Sequence, residues 1–80
     1  MRMRFDFGAD SSMLNTIVFE HENHNPLGKL TVIFKNNSIY EYDNVSMSDI
    51  LSVIVAPSYG SAFNKNIRNK YHYVEGVHNA

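Results

Sequence analysis

Ser58-Tyr59-Gly60-Ser61 leads directly into a stretch with helical spacing, Phe63 to Arg68. A helix start carries unpaired N–H groups and the positive end of the dipole, which can hold a phosphate. The same four residues also read as a tight helix-to-helix turn that needs a glycine. Asn64 and Arg68 are four apart and share one helix face. Arg68 can fork onto a phosphate or carboxylate, or stack on a base, while Asn64 reads an edge. The structural alternative ties Arg68 to Asp43 or Glu41 on a sheet and leaves Asn64 capping a loop carbonyl. Lys65 adds charge to the same segment and Tyr71 adds a ring beyond it. Ser58, Gly60, Ser61, Asn64, Lys65, Arg68 and Tyr71 are the candidate ligand-binding set.

Other constellations carry less. His21-Glu22-Asn23-His24 offers two imidazoles and a carboxylate in one loop, but zinc prefers a third protein ligand, which His72 or His78 would have to supply. No metal or cofactor is expected. Gly28-Lys29 is not a phosphate-binding loop, because Asn23 stands where its first glycine belongs and Leu30 where it needs Ser or Thr. No nucleophile has an evident base and orienting partner, so the chain is not expected to be an enzyme. Of the five tyrosines, Tyr40 and Tyr42 share a face with Leu30 and Val32 and read as core. Tyr71 and Tyr73 are the better stacking candidates, and Tyr71 or Tyr59 would stack on a base in a binding cleft.

Eighty residues leave room for one small domain. With 44% hydrophobic residues and only two prolines, the chain is neither disordered nor fibrous. It has no cysteine, so packing or self-association must stabilise it. The net charge of −1 argues against sequence-independent binding to duplex nucleic acid. Charge is nevertheless uneven: four basic and seven acidic residues precede Ser58, and three basic and one acidic follow. No segment reads as a leader or a membrane span, so the expectation is a cytoplasmic protein.

The elements that must position these residues follow from periodicity. Residues 1–7 alternate, with Met1, Met3, Phe5 and Phe7 on one face, as in a strand. They would form an added edge strand, a swapped arm or a frayed terminus, the edge strand being the reading carried forward. Residues 13–21, 29–35 and 38–43 read as strands. Asn25-Pro26-Leu27-Gly28 has type I turn preferences. For the last hairpin, a three-residue loop Lys35-Asn36-Asn37 pairs Val32 with Tyr40 and Leu30 with Tyr42. A two-residue loop would instead mix acids into the apolar face. The longer loop needs a left-handed residue, which Asn37 tolerates. Ile33 and Ile39 then meet on the outer face.

Ser46 with Asp49 forms a capping-box variant, and Val45 with Ile50 a hydrophobic staple. Met47, Ile50, Leu51, Ile54 and Val55 repeat at helical spacing until Pro57. A second helix is expected over 61–69, its apolar side Phe63 and Ile67. The plan is an α+β domain: a small antiparallel meander of three to four strands with two short helices on one face. Residues 1–10 would be an N-terminal extension, 11–73 the domain and 74–80 a C-terminal tail.

Ser58-x-Gly60-x-x-Phe63-Asn64-x-x-Ile67-Arg68-x-x-Tyr71, downstream of Tyr40-x-Tyr42 and Leu30-x-Val32-x-Phe34, resembles the KTSC domain. Ser11-Ser12 matches its opening, and the similarity covers about residues 11–73. That family takes its name from the C-terminus of some lysyl-tRNA synthetases and includes stand-alone bacterial and phage proteins. Asn37 stands where the family usually has Gly, and Ser46 where it usually has Pro.

The attachment to tRNA synthetases implies RNA binding by association. The first expectation is therefore a non-catalytic module binding RNA, a single strand or a small nucleotide through the second helix and the loop before it. The second is a phage-type counter-defence factor that binds a host protein through Ile33 and Ile39 on the outer sheet face or through the N-terminal strand, or sequesters a nucleotide signal. Residues 1–7 could extend the sheet into a homo-oligomer.

Overall fold

The computed structural model describes residues 1–22 and 24–75. Five strands form one antiparallel sheet in chain order: β1 (Arg2–Asp6), β2 (Leu14–Glu20), β3 (Leu27–Phe34), β4 (Ile39–Ser46) and β5 (Tyr73–Glu75). Two helices, α1 (Met47–Ile54) and α2 (Tyr59–Phe63), lie between β4 and β5, and a π-turn (Asn64–Arg68) continues α2. The α+β plan is as expected, with a short fifth strand beyond the expected three or four. Tyr73 pairs with Tyr42 and Glu75 with Tyr40, so part of the expected tail closes the free edge of β4. Residues 76–80 lie outside the described residues.

The alternation in residues 1–7 places β1 at the other edge, with Phe5 opposite Ile17 and Met3 opposite Phe19. Phe7 continues that face into the core at 2% exposure. The β3–β4 hairpin has the register that face consistency demands: Leu30 opposite Tyr42, Val32 opposite Tyr40 and Ile33 opposite Ile39. Asn37 supplies the left-handed residue at φ 71°. Its N–H donates to Phe34 O at 2.9 Å.

The expected turn at Asn25–Gly28 is displaced. The connection lies earlier, where Asn25 Oδ1 accepts the Leu27 N–H at 3.0 Å, and Leu27 and Gly28 already belong to β3. Gly28 sits at a register shift against β4. A Cβ there would lie 2.4 Å from Glu20 O and 2.8 Å from His21 Cβ, so close backbone approach requires the glycine.

In α1, Ser46 Oγ accepts the Asp49 N–H at 3.3 Å, and both staple residues, Val45 and Ile50, are fully buried. The expected apolar stripe is rotated. Val53 is buried, whereas Leu51 and Val55 are exposed. The helix ends at Ile54, so Val55 falls outside it. The buried face is centred on Ile50 and Val53, with Met47 and Ile54 partly covered. Phe63 and Ile67 close the core over Phe34 and Tyr42. Among the described residues, no helix is long and apolar enough to cross a membrane.

Candidate functional site

The second helix begins earlier than expected, at Tyr59, with Ser58 as its N-cap. Ser58 Oγ accepts the Ser61 N–H at 3.5 Å, so a cap already occupies part of the expected phosphate cradle. Gly60 approaches Met13 there, a Cβ built on it lying 3.6 Å from Met13 Cε. Tyr59 is a core contact rather than a stacking platform, its ring 4.8 Å from that of Phe7.

Beyond Phe63 the helix widens. Asn69 N–H donates to Asn64 O at 3.1 Å, five residues back. In such a turn each residue advances through a smaller rotation than in an α-helix. Ile67 is buried with Phe63, and Arg68, itself exposed, follows on the side of the helix that faces β3. The Arg68 guanidinium lies 5.5 Å from the Phe34 ring centroid and 5.6 Å from that of Phe63. Cation–π attraction holds it there, worth about 0.5–1 kcal/mol at an exposed position.

The expected binding set consequently divides. Arg68 lines an open groove of about 520 Å³ with Phe34, Lys35 and Tyr40. Ser12, Asn36 and Ser38 add polar groups to it. Ser58, Ser61 and Lys65 line a different groove, of about 340 Å³, at the α1–α2 junction beside Ala56 and Pro57. Asn64 belongs to neither lining; its Oδ1 is buried without a hydrogen-bond partner among the described residues. Lys35, Ser12, Asn36 and Ser38 were not in the sequence-derived set. Lys35 and Asn36 entered that reading only as hairpin-loop residues. Their signal is that Phe34, immediately before them, faces the helices.

Tyr71 leaves the candidate set for a structural reason. Its hydroxyl donates to Asp49 Oδ2 at 2.5 Å and accepts the Ser46 N–H at 3.2 Å. Lys70 Nζ reaches the same carboxylate oxygen at 2.9 Å. Burial alone would raise the Asp49 carboxyl; the Tyr71 hydroxyl, Lys70 ammonium and Ser46 cap more than offset it and hold it below the ordinary value. The exposed ring near the Arg68 groove is Tyr73, 4.8 Å from Tyr40 between centroids.

Arg68 is not tied to Asp43 or Glu41; Glu41 pairs with Lys29 at 3.3 Å. Beside Arg68 lies Tyr42, fully buried, with no hydrogen-bond partner for its hydroxyl among the described residues. Burial raises the pKa of that hydroxyl, while the Arg68 charge pulls the other way. The core reading of Tyr42 is right, but its hydroxyl does not reach the partner such a residue normally finds.

Among the described residues, no three His, Asp or Glu side chains come together as a ligand set. Asn23 and His78, which belonged to the weak zinc reading, lie outside the described residues. His21 Nδ1 is 3.0 Å from Glu22 O, and its Nε2 is buried without a partner among the described residues.

The family model described as the KTSC domain matches residues 10–71, most of the chain. No curated protein matches it.

Proposed function

The chain belongs to the KTSC domain family, and on that footing we propose a non-catalytic module that binds a phosphate-bearing ligand, a single-stranded nucleic acid or a nucleotide, at the Arg68 groove. One observation carries this reading. Arg68 rests on the Phe34 and Phe63 rings, and among the described residues no carboxylate lies within ion-pair distance of it. A guanidinium held by its charge against rings, with no carboxylate partner, keeps N–H donors for bonds to phosphate. Lys35 supplies a second positive charge in the same lining, and Tyr40 an aromatic surface.

The groove lining contains no His, Asp or Glu. Those are the side chains that general acid–base chemistry uses most often, so the lining is better suited to binding than to catalysis.

Thermal unfolding against single-stranded RNA, tRNA, single-stranded DNA and linear and cyclic nucleotides tests this. A ligand at 100 times its Kd stabilises by about 2.7 kcal/mol, a shift of roughly 10–20 °C for a domain of this size. The expected result is a shift with at least one phosphate-bearing ligand that Arg68→Ala abolishes. No shift with any of them overturns the reading and directs attention to the uncovered outer sheet face, where Ile33 meets Ile39.

A further inference from the structure

Seven basic residues are present, and most are already engaged. Arg2 pairs with Glu20 at 3.6 Å, Arg4 with Asp6 at 3.1 Å, Lys29 with Glu41 at 3.3 Å and Lys70 with Asp49 at 2.9 Å. Lys35, Lys65 and Arg68 have no carboxylate within that range among the described residues; the Lys35 ammonium donates instead to the Gly8 carbonyl. Lys65 lines the α1–α2 groove, so the Arg68 groove holds two cations, Arg68 and Lys35. A strand of nucleic acid gains most of its affinity from a series of neutralised phosphates. Two charges on a chain of net charge −1 provide no such series.

Size and polarity point the same way. About 520 Å³ falls in the range of small-ligand sites, roughly 300–1,000 Å³. Ser12, Asn36 and Ser38 can both donate and accept toward a base or ribose.

We propose that the Arg68 groove is a one-nucleotide site, taking a nucleoside mono- or diphosphate with its phosphate on Arg68 and Lys35 and its base against Tyr40. This deepens the function proposed above and rests on it.

The test is equilibrium titration of the full chain at several salt concentrations. The probes are the four nucleoside 5′-monophosphates, the matching nucleosides, inorganic phosphate and a twelve-nucleotide RNA. At least one monophosphate is expected to bind about tenfold or more tighter than either its nucleoside or inorganic phosphate. The RNA is expected to bind with a slope of log K against log salt no steeper than about −1.4, two contacts' worth. Arg68→Ala should weaken the monophosphate roughly tenfold to a hundredfold.

Tight RNA binding with a slope several times steeper overturns the one-nucleotide site while leaving the binding module standing. Equal binding of inorganic phosphate overturns the nucleoside component. Loss of binding on Lys65→Ala but not on Arg68→Ala relocates the site to the α1–α2 groove and overturns the proposal. Binding of none of the probes overturns both this inference and the function it rests on.

Discussion

Tyr71 and Asp49 are joined by a hydrogen bond of 2.5 Å across 22 residues of chain, and that bond ties the segment following the π-turn to the first turn of α1. The Tyr71 hydroxyl also accepts the Ser46 N–H, so one phenol completes the cap that Ser46 and Asp49 begin. Tyr71→Phe should therefore destabilise the fold by about 1–3 kcal/mol, the cost of leaving a nearly buried carboxylate short of a donor. Urea denaturation measures this. A variant as stable as the parent would mean that the phenol does not serve as a clamp.

Acid should weaken the same clamp. The folded Asp49 carboxyl titrates below its ordinary value of 3.8, so the unfolded chain takes up its proton first as the pH falls. The stabilisation is then fully present above the ordinary value and is lost as the pH drops through the lower folded one. Lys70 behaves as the mirror image. Its hydrogen bond to Asp49 raises it above 10.5, so its contribution holds below that value and fades as the pH rises through the raised one. In melting curves taken across acid pH, the advantage of the parent over Asp49→Asn should shrink below about pH 4. An advantage that persists undiminished at pH 2 would contradict the assignment.

The β3–β4 hairpin should be sensitive to Asn37. At φ 71° a β-branched side chain is strained, so Asn37→Val should cost about 1–2 kcal/mol. Asn37→Gly should be neutral or stabilising. The ranking Gly at or above Asn, with Val well below, is readable from thermal midpoints; any other order would argue against the left-handed position.

Gly28→Ala should be costly although the residue lies in a strand where alanine normally fits. Its Cβ would meet backbone at Glu20 O and the Phe19 and His21 side chains, all below 3.0 Å. Overpacking of this kind costs typically 1–3 kcal/mol. Chemical denaturation would show the loss, and unchanged stability would mean that β2 can move away from β3 there.

Much of the fold follows from local pattern. Alternation at Met3, Phe5 and Phe7 requires a strand with that face inward, and the acids at Glu41 and Asp43 exclude the shorter hairpin loop because they would enter the core. Ser46, Asp49, Val45 and Ile50 form a complete helix start within six residues. Each of these is a short-range constraint that a sequence carries openly. Asn64 to Arg68 is different. Helical spacing assigns them one shared face, and only the wide π-turn, set by seating both Phe63 and Ile67 in the core, turns Arg68 onto Phe34.

The same holds for the division of the candidate site. Ser58, Lys65 and Arg68 lie within eleven residues of one another, yet they line two grooves, because β3 and the hairpin loop approach one side of the helix and α1 the other. Tyr71 carries no local mark that separates a stacking ring from a clamp; its role depends on Asp49 arriving from another helix. Lys35 joins the site only because the hairpin folds back beneath the π-turn. Proximity in sequence set which residue types were available here. Long-range packing, which local patterns do not encode, chose which of them share a surface.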